Sequence, residues 1–126
     1  MTRRIDAEEL LAFTGESTAP YTRVRDAGIL YSAAARPHSA IMTRQTYESV
    51  PERTAALLHA IIRWEPLDMW NASFGWAAAG FFAETSGADL AMSPLDRMVL
   101  TSEILDGRVD DVGEIAKRLA PFMRTE

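Results

Sequence analysis

The sequence predicts an all-α protein, a compact bundle of about six helices with one small β-hairpin. Apolar residues recur at helical spacing, Asp and Ser residues stand where helices need N-caps, and Pro and Gly residues stand where helices need to end. One short segment, residues 38–50, interrupts this helical pattern and predicts two extended pieces around a turn. At 126 residues the chain suits a single domain over 1–126.

Composition excludes several classes of protein. The chain is 48% hydrophobic and 25% charged, which is typical of a globular domain. Its net charge is −5 and its 13 basic residues are scattered, so we expect no nucleic-acid binding. Cysteine is absent, which excludes disulfides and thiolate chemistry. The most apolar run, 77–83, is too short to cross a bilayer, and no signal-peptide stretch follows the N-terminus. We therefore expect a cytoplasmic protein that does not bind membranes.

The first two helices have clear boundaries. Asp6 with Glu9 three positions later forms a capping pattern that opens a short helix, and Gly15 ends it. The second helix follows Pro20 and ends at Pro37. Its predicted inward-facing residues are Val24, Ala27, Ile29, Leu30 and Ala34.

Residues 38–50 predict a small hairpin or flap. Two short extended pieces, at 41–42 and 46–50, flank a polar turn at 43–45. Ile41 and Tyr47 would lie on these pieces, where an exposed strand edge can accept a partner peptide.

Four further helices complete the bundle, each with a start signal and a stop. They run from Pro51 to Trp64, from Phe74 to Ser86, from Pro94 to Gly107 and from Asp111 to Pro121. The helix at 74–86 is apolar nearly all round, so we expect it at the buried centre, with Ser73 as its N-cap. The loop before it, 65–73, is the candidate site, because a helix N-terminus is a natural phosphate seat.

Several short motifs, in this order and spacing, resemble the Doc branch of the Fic/Doc family over nearly the whole chain. They are Ala35-Arg36-Pro37 before the flap, the segment 55–59, Ser86-Gly87, Ser93-Pro94, and the turn 106–109 before Ile115-Ala116. The resemblance implies a helical bundle with a flap that transfers a phosphate-containing group from a nucleotide to a protein hydroxyl. It also implies a toxin that an antitoxin holds inactive.

The family signature reads approximately His-Pro-Phe-x-Asp-Gly-Asn-Lys-Arg. In it the His is the base, the acidic residue holds magnesium, the Gly-Asn backbone cradles phosphate, and the two cations neutralise it. At the matching positions Glu65 stands for the base, Pro66 is kept, Leu67 replaces the aromatic residue and Asn71 is kept.

The remaining signature positions differ in chemistry. Met69 stands at the metal carboxylate and Trp70 at the glycine, while Ala72 and Ser73 replace both cations. No basic residue occurs between Arg63 and Arg97, although five acidic residues do. Desolvated phosphates need cationic partners. The sequence therefore predicts a pseudoenzyme without cofactor that works by binding a protein.

The alternative is an active transferase that uses ATP with magnesium and Glu65 as the base, since a buried carboxylate can replace histidine. Otherwise Glu65 is a solvated carboxylate at a helix end. Asn71 either fixes the loop or contacts a ligand. We expect Ser73 to be an N-cap rather than a nucleophile. Trp70 is either a core residue or an interface anchor. The partner would be an antitoxin-like helix, a target protein that is bound or blocked without modification, or a second copy of the chain.

A metal site is not predicted. His38 and His59 are the two histidines, and neither has a carboxylate at close sequence spacing. His59 falls on an apolar helix face with Ala55, Leu58 and Ile62, which favours a hydrogen-bonded core residue over a ligand.

Overall fold

The computed structural model describes residues 4–12 and 22–125, and within them the all-α prediction is confirmed. The α-helices are α1 (Ala7–Leu10), α2 (Ala27–Ala35), α3 (Val50–Trp64), α4 (Asn71–Thr85), α5 (Pro94–Leu105) and α6 (Val112–Leu119). Two antiparallel strand pairs accompany them, β1 (Ala40–Ile41) with β2 (Arg44–Gln45) and β3 (Ala88–Leu90) with β4 (Met123–Thr125). Short 3₁₀ turns occupy Arg36–His38 and Ala120–Phe122. None of the described helices is long and apolar enough to span a membrane.

Helices α3 and α4 form the centre and separate two apolar cores. One core lies among α3, α4, α5 and α6, and the other lies among α1, α2, α3 and α4. Residues 54–62 of α3 are all buried, so α3 is at least as central as α4, a point that the sequence pattern did not reveal. A Cβ on Gly75 would lie 3.3 Å from the Ile61 side chain and 3.4 Å from Leu58, so glycine there permits the close approach of α4 to α3.

Most helix boundaries follow local capping chemistry. Asp6 and Glu9 form the predicted capping box, and the Ser93 hydroxyl accepts from the Asp96 N–H at 3.2 Å. Gly107 adopts φ +82° just after α5, as expected of a helix stop. Ser49 caps α3 as well, so the helix begins at Val50, one position before the predicted start. The predicted boundaries at Gly15 and Pro20 lie outside the described residues.

Two predictions for the first half of the chain are wrong. Helix α2 begins only at Ala27, capped by Asp26, so Val24 and Ala27 are exposed instead of facing inward. The hairpin turn falls on Met42 and Thr43, at φ 51° and 72°, and not on 43–45, and the second strand is Arg44–Gln45 instead of the predicted 46–50. Two successive positive φ angles match the twist of a two-residue hairpin turn, which places 44–45 in a strand.

The pairing of β3 with β4 was not predicted. Ala88 pairs with Thr125, Asp89 with Arg124 and Leu90 with Met123. Each strand has only three residues, which is too short for alternating apolar and polar residues to be recognised. The two strands are also distant in sequence, so no local pattern indicates that they pair. The pair fixes the end of the described chain beside the end of α4.

Candidate functional site

The loop between α3 and α4 turns sharply at both ends. Glu65 and Trp70 adopt left-handed conformations, with φ 50° and 65°. Trp70 is the N-cap residue of α4 and makes no side-chain cap. The predicted helix start is therefore wrong: Ser73 lies within the first turn of α4, and Asn71 begins the helix. Non-glycine residues adopt this conformation at a cost in free energy, so surrounding contacts must hold the loop.

The segment 23–26 supplies one set of those contacts. The N–H groups of Arg25 and Asp26 donate to the Pro66 carbonyl at 2.7 and 3.2 Å, and the Asp68 N–H donates to the Arg23 carbonyl at 2.9 Å. Pro66 is buried by this arrangement. The loop is thus bonded to the entry of α2 along its backbone.

Asn71 holds the loop from the other side. Its side-chain oxygen accepts from the Leu67 N–H at 2.9 Å, and its side-chain nitrogen donates to the Leu67 carbonyl at 3.0 Å. Leu67 is 1% exposed, so both of its backbone groups are removed from water and satisfied by one amide. Both ends of the Asn71 amide are used within the chain.

Two arginines near the loop stabilise helix C-termini. Arg25 donates to the carbonyls of Glu65 and Trp64 at 2.7 and 2.8 Å, at the end of α3. Arg63 donates to the carbonyls of Ile104 and Leu105 at 3.3 Å, at the end of α5. Sequence reasoning missed Arg25, because it lies 40 residues before the loop and no local pattern marks it.

The acidic residues of the loop are not placed around a metal. Asp68 accepts hydrogen bonds from the Thr22 hydroxyl and the Arg23 N–H, and these hold the pKa of Asp68 below its usual value. The Glu65 side chain is exposed. Over residues 4–12 and 22–125, no three His, Asp or Glu side chains cluster in a way that would hold a metal ion.

Three surface depressions run side by side along α4 and α5. The motif-loop pocket, about 460 Å³, is lined by Glu65, Asp68, Met69, Trp70 and residues 71–73. The α4–α5 groove, about 550 Å³, is lined by Trp76 of α4 and by Arg97, Met98, Thr101 and Leu105 of α5. It shares Ala72, Ser73 and Leu105 with the first depression. A third, about 470 Å³, shares Met98 and Ser102 with the groove.

Exposed apolar side chains line this surface. Met98 is 69% exposed and Trp70 55% exposed, so Trp70 is not a core residue. The outward side of α5 carries a row of exposed apolar residues, the α5 stripe: Leu95, Met98, Val99 and Leu105. Helix α5 is therefore apolar on two sides, since Leu100 and Ile104 are fully buried on its inner side. Apolar surface of this continuity marks interaction sites.

His59 belongs to a buried polar network behind the loop. Its Nδ1 lies 2.8 Å from an Arg36 nitrogen that can only donate, so Nε2 carries the ring proton and donates to Asp110 at 3.0 Å. That hydrogen bond, with the Arg63 guanidinium nearby, lowers the pKa of Asp110. His59 thereby connects α2, α3 and the start of α6.

The flap residues differ in their surroundings. Ile41 is 70% exposed on β1. Tyr47 is half-buried: its hydroxyl accepts from Arg36 at 3.1 Å and its carbonyl accepts from Arg53 at 3.0 Å. The structure thus presents Ile41 to solvent and holds Tyr47 against the helices.

The chain is similar over nearly its full length to a known protein. It is 32% identical over 123 residues to a protein named Toxin Doc from Mycolicibacterium smegmatis, a match that covers 97% of this chain and 95% of that relative. No protein-family model matches the chain. No solved structure matches it either.

Proposed function

The chain belongs to the Doc toxin family, and from this premise we propose that it is the toxin component of a toxin–antitoxin type system that has lost nucleotide transfer and acts by binding protein. One observation carries the proposal. The Arg25 and Asn71 side chains at the signature loop are used within the chain, whereas the groove beside the loop is apolar and exposed.

The residues present do not fit a magnesium nucleotide. Arg25 and Arg63 donate to helix carbonyls, and moving either guanidinium onto a phosphate would break those hydrogen bonds. Magnesium prefers oxygen ligands, and Met69 offers a thioether at the position where the family has a carboxylate. The indole of Trp70 stands where backbone must approach phosphate closely. We infer that the loop serves as a rigid edge of a binding surface.

The shape and chemistry of that surface suit a protein partner. Three adjoining depressions share lining residues, so the surface is longer than a small molecule requires. Trp70 and Met98 are large, exposed and apolar, the kind of side chain that dominates protein interfaces. The partner is then an antitoxin-like helix or the protein target.

A second candidate is an active transferase with Glu65 as its base. In its favour, the exposed carboxylate of Glu65 lines the motif-loop pocket. Thermal denaturation with and without millimolar magnesium–ATP separates the two candidates, because a ligand that binds the native state raises the melting temperature. We expect no change. A rise of several degrees would favour the transferase and contradict our proposal.

Growth assays with matched variants test the binding role itself. We expect the wild type and Glu65→Gln to slow host growth equally, Met98→Glu to lose the effect, and the conservative Met98→Leu to retain it. Mass spectrometry of cell protein should find no new hydroxyl modification. A harmless Glu65→Gln variant, together with modified protein in wild-type cells, would refute the binding role.

A further inference from the structure

Methionine thioethers are the only sulfur groups in the chain, because cysteine is absent. Their exposure divides the described ones into two sets. Met42, Met69 and Met98 are exposed, whereas Met92 is only 6% exposed and Met123 packs half-buried against the core. Oxidation of sulfur by a peroxide requires access to the sulfur atom. The first three are therefore the thioethers that an oxidant in solution can reach.

Met98 occupies the centre of the surface that we assign to a protein partner. It lines both the α4–α5 groove and the third depression, so it lies where the two meet. Met69 lines the motif-loop pocket. Met42 is the most exposed of the three, at 90%, but it lies at the hairpin turn and lines none of these three depressions. Met42 is thus a matched thioether outside the binding surface.

The rest of the α5 stripe is chemically inert. Leu95, Val99 and Leu105 carry hydrocarbon side chains, so Met98 is the member of the stripe whose polarity oxidation can change. A sulfoxide at residue 98 would place a strong hydrogen-bond acceptor in the middle of an apolar row. A partner that covers the row with apolar side chains would bury that oxygen without a donor, which weakens binding.

Arg97 offers the new oxygen a donor within the chain. Its guanidinium lies at the wall of the same groove, 5.5 Å from the centre of the Trp76 ring, and over residues 4–12 and 22–125 it donates no hydrogen bond. The Trp76 ring is held in place, because its indole N–H donates to the Thr101 hydroxyl at 2.7 Å. A sulfoxide oxygen at residue 98 can accept from Arg97 in the free chain, and an apolar partner would have to break that hydrogen bond. Both effects of oxidation therefore oppose docking.

Resting on the proposed function, we propose that Met98 is a site of reversible oxidation by hydroperoxides, and that its sulfoxide switches the binding surface off. A lone pair of the Met98 sulfur attacks one oxygen of hydrogen peroxide, so an S–O bond forms as the O–O bond breaks. The proton on the transferred oxygen passes to the departing hydroxide, which leaves as water. The sulfur loses two electrons and the peroxide gains them. Methionine sulfoxide reductases restore the thioether, which makes the change reversible.

The first experiment measures oxidation at each position. The purified chain is incubated with hydrogen peroxide, and peptide mass spectrometry follows the gain of one oxygen per methionine with time. We expect Met42, Met69 and Met98 to react while Met92 remains a thioether. A Met98 that reacts as slowly as Met92 would overturn the proposal.

The second experiment measures the surface with Nile red, an uncharged dye that fluoresces on apolar surfaces. Each protein is compared with its own unoxidised sample, so that an effect of the substitution itself cancels. On oxidation the wild type and Met42→Leu should lose affinity for the dye by about 10-fold, and the reductases should restore it. Met98→Leu should change little. The double variant Met42→Leu/Met69→Leu keeps Met98 and should lose affinity as the wild type does, which provides the test should Met98→Leu fold poorly.

The outcomes separate this inference from the proposed function. A wild type whose dye affinity survives oxidation of Met98, or a Met98→Leu variant that loses as much affinity as the wild type, would overturn the switch and leave the binding role intact. A harmless Glu65→Gln variant with modified protein in wild-type cells would refute the binding role. The rate of Met98 oxidation and its effect on the dye would be unaffected by that result.

Discussion

Replacing Asn71 by alanine tests whether one side chain holds the signature loop. The change removes the two hydrogen bonds between the amide and the backbone of Leu67, at 2.9 and 3.0 Å. Leu67 is 1% exposed, so its N–H and carbonyl do not recover water unless the loop opens. A buried group left without a partner costs about 1–3 kcal/mol. Alanine has a higher helix propensity than asparagine, which offsets roughly 0.5 kcal/mol of this loss.

For the two backbone groups together, less the gain in helix propensity, the expected loss is about 1.5–5.5 kcal/mol in the free energy of unfolding, measured by urea denaturation followed by circular dichroism. At this chain length that corresponds to a melting temperature lower by roughly 6–21 °C. Asn71→Asp should be milder, because a carboxylate still accepts from the Leu67 N–H and is favoured at a helix N-terminus, although it repels the Leu67 carbonyl.

Ser73→Ala is the matched control, in the same helical turn, and should stay within about 0.5 kcal/mol of the wild type because its side chain is exposed. An Asn71→Ala variant as stable as Ser73→Ala would show that the backbone bonds to 23–26 hold the loop without the amide, and would refute this reasoning.

Three further predictions concern stability. Glu65→Gly should raise the free energy of unfolding by about 0.5–1 kcal/mol in urea denaturation, because φ is 50° at this helix end; a loss would show that the side chain contributes more than the backbone conformation costs. Burial, aided by two nearby arginines, lowers the pKa of His38, so the unfolded chain binds the proton more readily and stability should fall as the pH drops below about 6.5. His38→Gln should flatten that part of the pH profile of the urea midpoint, and an unchanged profile would exclude His38 as its cause. Gly80→Ala should stabilise the chain by up to about 1 kcal/mol, whereas Gly75→Ala should gain less or lose stability because its Cβ would press on Ile61; equal gains would contradict the tight α3–α4 packing.

Features set by neighbouring residues could be predicted from the sequence. The capping box at Asp6 and the N-cap at Ser93 depend on residues three positions away, and both are present. The predicted turn began one residue too late, because neither Met42 nor Thr43 is a residue type that favours the left-handed conformation. Local preference likewise favoured Ser73 over Trp70 as the N-cap of α4, whereas tertiary contacts fix the loop and place the start earlier.

The polar contacts of the site could not be predicted, because they join distant segments. Arg25 reaches the end of α3 from 40 residues away, and the His59–Asp110 contact spans 51 residues. The sequence has no cation at residues 72 and 73, but it gave no sign that Arg97 would face the adjoining groove across the Trp76 ring. Such placement depends on how helices pack, which periodicity alone does not determine.

The position of α3 between the two apolar cores has a consequence for how the molecule opens. Because α3 contributes side chains to both cores, neither half can separate without exposing apolar surface of the other. Backbone amides in 54–62 should then exchange with deuterated solvent only when the whole chain unfolds, so they report its global stability. A ligand seated against α4 and α5 alone should slow exchange throughout α3 and into α1 and α2, far from anything it touches.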